Sequence, residues 1–173
     1  MSAKGTEKTL TVDANVIHYH IMFLLNHPLP QGCRTRRIRE FCFEVMKKHS
    51  IAINKYIKTE YIETSGLEAI QHWIKQRNKN SEPVIEVRCV RLTPQVANCL
   101  RDNYYFNCNS KDMRYLQTCK NTIFKKLITQ NIEHFFLSHK RGPRRGTMDS
   151  YLKRKEGICI HTIDDCCSIL LDD

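Results

Sequence analysis

No stretch of the chain approaches the roughly 20 consecutive apolar residues that a membrane-crossing helix needs. The opening residues, MSAKGTEKTL, hold no apolar core of the kind that marks a secretory signal. Clustered cysteines are missing too. There are nine cysteines, an odd number, with no CxxC and only Cys166 and Cys167 close together. Zinc sites need Cys and His at short, paired spacings, so none is expected. The cysteines read as small buried hydrophobes, and the chain as a soluble one from a reducing, cytoplasmic compartment. Acidic residues are scarce, 18 against 28 Lys and Arg, which gives a net charge of +10. That surplus favours a polyanionic partner, nucleic acid ahead of an anionic membrane. Internal repeats and low-complexity tracts are absent.

What is present suits one domain over residues 1–173: the length allows a proper core, and 41% of residues are hydrophobic. Residues 1–8 are polar and expected to be loose. Leu10 to Val12 reads as a strand that ends in Asp13 and runs into a helix from Val16 to Leu25, closed by Pro28 and Pro30. Ile38, Phe41, Cys42, Val45 and Met46 recur at helical spacing and predict a helix over 34–49. Ile51 to Ile53 suits a short strand. A helix from Lys55 is broken by Gly66 and resumes to Arg77. Val84 to Leu92 reads as a strand or extended loop, and Thr93-Pro94 as the cap and first residue of another helix.

The stretch from Lys111 to Phe136 organises the rest. Met113, Leu116 and Cys119 predict a helix over 112–122, opened by Asp112. Phe124 to Thr129 then predicts a strand that delivers Thr129, Gln130 and Asn131 at its end. A last strand is expected over 158–163 and a helix or turn after it. Alternating helices and strands imply an α/β fold, a central and mainly parallel sheet with helices on both faces. Ligands on open α/β sheets bind beyond the carboxyl ends of the strands. Asp13, Asp112 and Asn131 are therefore expected to share one site. Asp13 is the least easily dismissed, because a charge ending an apolar strand is costly unless exposed or liganded.

The segments TVDANVIHYHI, TEYIETS, KDMRYLQTCKNT and LITQNIEHF, in that order, resemble the signature of the PIN-domain nuclease family, with the likeness running from Thr11 to Leu171. In that family an Asp after the first strand, a mid-chain Glu, a later Asp and a carboxylate after the following strand collect divalent metal. The resemblance thus implies Asp13, Glu60, Asp112 and Asn131 as catalytic and metal-binding residues, with Mg2+ or Mn2+ as cofactor. Such oxygen ligands suit either ion. Asn131 departs from the family's usual Asp, and Glu133 is a substitute ligand; Thr129 would hydrogen-bond a carboxylate or a metal-bound water. The implied activity is endoribonuclease cleavage of single-stranded RNA. A toxin-like member would form a homodimer silenced by a small antitoxin-like protein. The alternative keeps the fold without catalysis, as an RNA-binding or scaffolding module.

Two arginine clusters are candidate nucleic-acid contacts. Arg34, Arg36 and Arg37 lie at the start of a helix, where cations fit the dipole poorly and a bound anion would relieve the cost. Arg141, Arg144 and Arg145 belong to a basic segment over 138–156, expected to be flexible and to grip substrate.

Overall fold

In the computed structural model, residues 9–28, 35–102, 106, 108–130, 135 and 147–165 are described. Five short strands form one all-parallel sheet: β1 (Thr9–Val12), β2 (Ser50–Ile53), β3 (Val84–Glu86), β4 (Lys126–Ile128) and β5 (Cys159–His161). The order across the sheet is β3-β2-β1-β4-β5. β1 and β4 are buried at every residue, as strands covered on both faces must be, whereas the edge strands β3 and β5 are only partly covered. Among the described residues seven α-helices flank the sheet: α1 (Ala14–Leu24), α2 (Thr35–Glu40), α3 (Lys55–Ser65), α4 (Leu67–Lys79), α5 (Pro94–Arg101), α6 (Ser110–Lys120) and α7 (Met148–Glu156).

The chain builds outward from β1 in one direction, to β2 and β3, and then crosses to build in the other, to β4 and β5. Right-handed crossovers in opposite directions put their helices on opposite faces of the sheet. They also leave a crevice between β1 and β4 at the carboxyl edge, where the direction reverses. The register there is fixed by Thr11 opposite Leu127 and Val12 opposite Ile128. The Asp13 N–H then continues the ladder to the Ile128 carbonyl at 2.8 Å.

Three expected elements differ in form. The helix expected over 34–49 is α2 followed by a π-helical segment, Phe41–Met46. Phe41, Cys42, Val45 and Met46 all bury, and a wider turn keeps these two adjacent pairs on one face. The strand expected over 124–129 is shorter, because Lys125 turns at φ 45° before β4 begins. The basic stretch expected to be flexible over 138–156 is, in its second half, α7. Met148, Tyr151 and Leu152 recur at i, i+3 and i+4 beneath the lysines and are buried. Thr147 caps the helix by accepting from the Ser150 N–H, and Gly157 closes it at φ 70°. Residues 138–146 lie outside the described residues.

The opposite edge of the sheet is anchored by a buried cation. Arg77, at the end of α4, donates to the carbonyls of Met46 (2.9 Å) and His49 (2.6 Å), just before β2. It thereby satisfies carbonyls that the end of the π-helical segment leaves over. Glu82 stands 3.6 Å from it. A second tie is made by Glu156, whose carboxylate accepts from the N–H and hydroxyl of Thr93 (2.8 and 3.0 Å) and pairs with Lys120 at 2.8 Å. These contacts hold its pKa below the ordinary value despite burial. Thr93 precedes α5 as expected, but its side chain bonds Glu156 instead of capping the helix.

Gly66, which joins α3 to α4, sits at φ 89° and ψ 149°, a region that residues with a Cβ avoid. A Cβ there would meet no heavy atom within 4 Å, so the cost of one is purely conformational. Gly66→Ala should lower unfolding stability by about 1–3 kcal/mol, measured by urea denaturation. An unchanged midpoint would contradict this account of the joint.

Candidate functional site

Three carboxylates come together at the carboxyl edge, each delivered by a different local device. Asp13 follows β1 and stands at the N-cap of α1, its backbone carbonyl accepting from Val16 and Ile17. Its side chain does not cap the helix; Oδ2 instead accepts from the Thr129 hydroxyl at 2.7 Å. Thr129 follows β4 and is held by its own N–H bond to the His161 carbonyl at 2.9 Å. The ends of β1, β4 and β5 are thus fixed side by side, at the reversal point of the sheet.

Glu60 lies on α3. Asn54 caps this helix, its Oδ1 accepting from Tyr56 and Ile57 at 2.8 and 3.0 Å. The amide of the same residue donates to Thr118 of α6 at 2.5 Å, which ties α3 to α6. Asp112 is the third residue of α6. The sequence reading had the helix opened by Asp112, but the cap is Asn109, which accepts from Lys111 and Asp112 at 2.8 and 2.9 Å.

Two tyrosines bind the constellation together. The Tyr115 hydroxyl accepts from the Ala14 N–H at 3.1 Å and stands close enough to Glu60 to lower its pKa. The Tyr61 hydroxyl donates to the Val12 carbonyl. Burial, then nearby negative charge, pushes both phenols far above their ordinary value, so both stay protonated donors. Neither tyrosine is among the sequence candidates. The available signal was chemical: a buried tyrosine needs a partner for its hydroxyl, and both lie one or a few residues from a proposed ligand.

The electrostatics follow from this crowding. Burial raises the Asp13 pKa, and the Thr129 hydroxyl with the N–H groups of Ala14 and Asn15 pulls it only partly back. Burial also raises Glu60; Lys111 opposes this, while the charges of Asp13 and Asp112 reinforce it. Asp112 is pushed up to about 6 by burial and then by Asp13. Each carboxylate therefore stands within the field of the others. The Lys111 ammonium, 4.0 Å from Glu60 and 3.6 Å from Glu63, offsets part of the charge. Among the described residues no group of three or more His, Cys, Asp or Glu side chains is arranged to hold a metal ion as it stands.

Asn131, Glu133 and His134 lie outside the described residues, as do Arg34, Arg141, Arg144 and Arg145. Arg36 and Arg37 are described, and both pair with Glu40 on their own helix, at 2.9 and 3.1 Å. The Arg36 side chain remains 90% exposed. Their helix packs against the 3-10 turn Ile163–Asp165, which follows the carboxyl end of β5. Phe106, which precedes α6, lies in the core against Tyr151.

The raised Asp112 pKa has a defined sign. Folded Asp112 keeps its proton to about pH 6, whereas an unfolded Asp releases it near 3.8. Stability is therefore lost as pH rises through that interval. In metal-free buffer at pH 7.5, Asp112→Asn should stabilise the fold by on the order of 1–2 kcal/mol, discounted for the solvent the group still meets. At pH 4 the variant and the parent should melt together. A variant that melts lower at pH 7.5 would contradict the charge crowding. Compared with known proteins, the chain matches no family model, and no curated protein or solved structure matches it significantly.

Proposed function

We propose that the chain is a metal-dependent endoribonuclease of the PIN type, cleaving single-stranded RNA at the carboxyl edge beside β1 and β4. The observation that carries this reading is the gathering of Asp13, Glu60 and Asp112, on three separate elements, where each raises the cost of ionising another. A fold does not bear such repulsion for packing alone; a bound cation would reverse its sign. The donor set fits Mg2+ or Mn2+, since all three groups offer hard carboxylate oxygens. Asp13 and Asp112 would be the principal ligands, with Glu60, Asn131 and Glu133 completing the set. When bound, the metal supplies activated water and neutralises charge on the phosphorane.

The chain's own residues do the remaining work. Thr129 orients Asp13 through its hydroxyl. Tyr115 stands by Glu60 while holding the first turn of α1 in place. With Glu60 among the metal ligands, Lys111 would be available to a substrate phosphate. The net charge of +10 supplies long-range attraction for RNA. A small antitoxin-like partner and a homodimer belong to the same reading. A second reading, an RNA-binding module without catalysis, is favoured by the Lys111 contact and by the uncharged Asn131, both of which weaken the site's pull on a cation.

Asp13→Asn and Asp112→Asn should each abolish Mg2+- or Mn2+-dependent cleavage of an end-labelled single-stranded RNA, with unchanged circular dichroism. Thr129→Val should cost roughly 10–100-fold in rate, the usual effect of removing a group that orients a ligand. Full activity in either Asp variant removes that residue from the site. A parent protein that binds RNA but never cleaves it selects the second reading.

Replacing Arg141, Arg144 and Arg145 with Ala should weaken RNA binding. Each lost phosphate contact flattens the logarithmic salt slope by ~0.7. The melting temperature should stay the same, because the core contacts nearby come from α7. An unaltered affinity and slope would rule the segment out as a substrate contact.

A further inference from the structure

The opposite edge of the domain holds a pocket of about 510 Å³ between the ends of α1 and α4. Its lining includes Lys47, which precedes β2, and Glu82, which precedes β3, so it lies at the amino edge of the sheet, away from Asp13. The volume falls within the range of clefts that hold small organic ligands. One wall is apolar, with Ile21, Leu24 and the face of Trp73. Leu24 and its neighbour Leu25 are each 51% exposed at the rim.

A largely buried histidine lines this space. His20 is only 5% exposed, and its Nδ1 accepts from the Trp73 indole N–H at 3.1 Å. An imidazole that accepts at Nδ1 carries its proton on Nε2. Burial, together with the charges of Arg77 and Lys47, drives the His20 pKa down to about 3, so the ring stays neutral. Its Nε2–H meets no acceptor among the described residues and is not among the fully buried unpartnered atoms, so it opens on the pocket that His20 lines. Water can satisfy it there, and a bound acceptor would take that water's place.

The charge around the pocket selects the acceptor. Two cations, Arg77 at 3.6 Å and Lys47 beyond it, share the single carboxylate of Glu82, which leaves a surplus of one positive charge. The Lys47 ammonium rests on the Phe43 ring at 4.3 Å, with no carboxylate within salt-bridge distance among the described residues. One uncompensated cation and one neutral donor at the end of an apolar cleft match a single negative charge on an apolar body. We propose that this pocket binds an amphipathic organic monocarboxylate, a medium-chain fatty or aryl-alkanoic acid, with its carboxylate between His20 Nε2 and Lys47 and its tail along Leu24 and Trp73. The site is independent of the carboxylate cluster and of the function proposed for it.

Trp73 is the only tryptophan in the chain, so its emission reports this pocket alone. Octanoate and 4-phenylbutyrate are titrated into the full-length protein by calorimetry and by tryptophan fluorescence, with the corresponding neutral amides as controls. At least one acid should bind saturably and shift the Trp73 emission. Its amide, and Lys47→Ala protein, should each bind roughly tenfold more weakly, the worth of a charge-assisted contact. Leu24→Glu, at an exposed rim position, should abolish binding by placing a like charge at the mouth, while Asp13→Asn should leave it unaltered. The proposal is overturned if neither acid binds, if the amides bind as tightly, or if both pocket variants bind like the parent.

Discussion

A carboxylate placed at the end of the central, fully covered strand sets the terms for the rest of this fold. Asp13 cannot retreat into solvent without dragging β1 with it, so the surroundings must supply donors. They do so from across the chain: the Thr129 hydroxyl reaches the carboxylate directly, and Tyr61 and Tyr115 hold the backbone on either side of it. Each donor is fixed by a further bond, to His161 for Thr129 and through the Asn54–Thr118 tie for the helices that carry the tyrosines. The geometry of the carboxyl edge is thus over-determined by hydrogen bonds whose common purpose is to keep one acid in place.

The two edges of the sheet solve opposite electrostatic problems. At the carboxyl edge, negative groups are concentrated and only partly neutralised. At the amino edge, a buried guanidinium accepts the role of capping carbonyls and is itself drawn down to a pKa of about 10, mainly by burial. Arg77 still stays charged there, because Glu82 and the carbonyls it serves stabilise the cation. The separation lets the acidic cluster keep its repulsion without a strong cation collapsing onto it; the surface Lys111 is the partial exception.

Much of the frame could be read from the chain, for physical reasons. Apolar runs of three or four residues ending in Asp13 and Thr129 mark covered parallel strands, and the breaks at Gly66 and Pro94 fall where backbone geometry demands them. Glu60 came only from the family resemblance, whereas Asp13 and Asp112 were legible as candidates by their positions relative to those elements. The hydroxyls of Tyr61 and Tyr115 were not, because a tyrosine on an apolar helix face reads only as core until its partner is known. α7 was hidden for a different reason. Its lysines and arginines dominate the composition, while just three apolar residues and a buried Glu156 decide its packing. His20 was not among the sequence candidates; its placement depends on Trp73, 53 residues away.

The bond from Thr129 to Asp13 spans 116 residues, and that from Tyr115 to Ala14 spans 101. During synthesis, β1 emerges first, and β2 and β3 follow it well before β4. The other flank of β1 stays open until β4 appears, and β4 stays an edge until β5 closes it. Contacts of such long range form late and slow the search for the native state. The acidic edge is therefore a late product of folding: Asp13 meets its Thr129 donor only once the segment that carries β4 has been made. A chain stopped before β4 carries the same three carboxylates without the bond that positions Asp13.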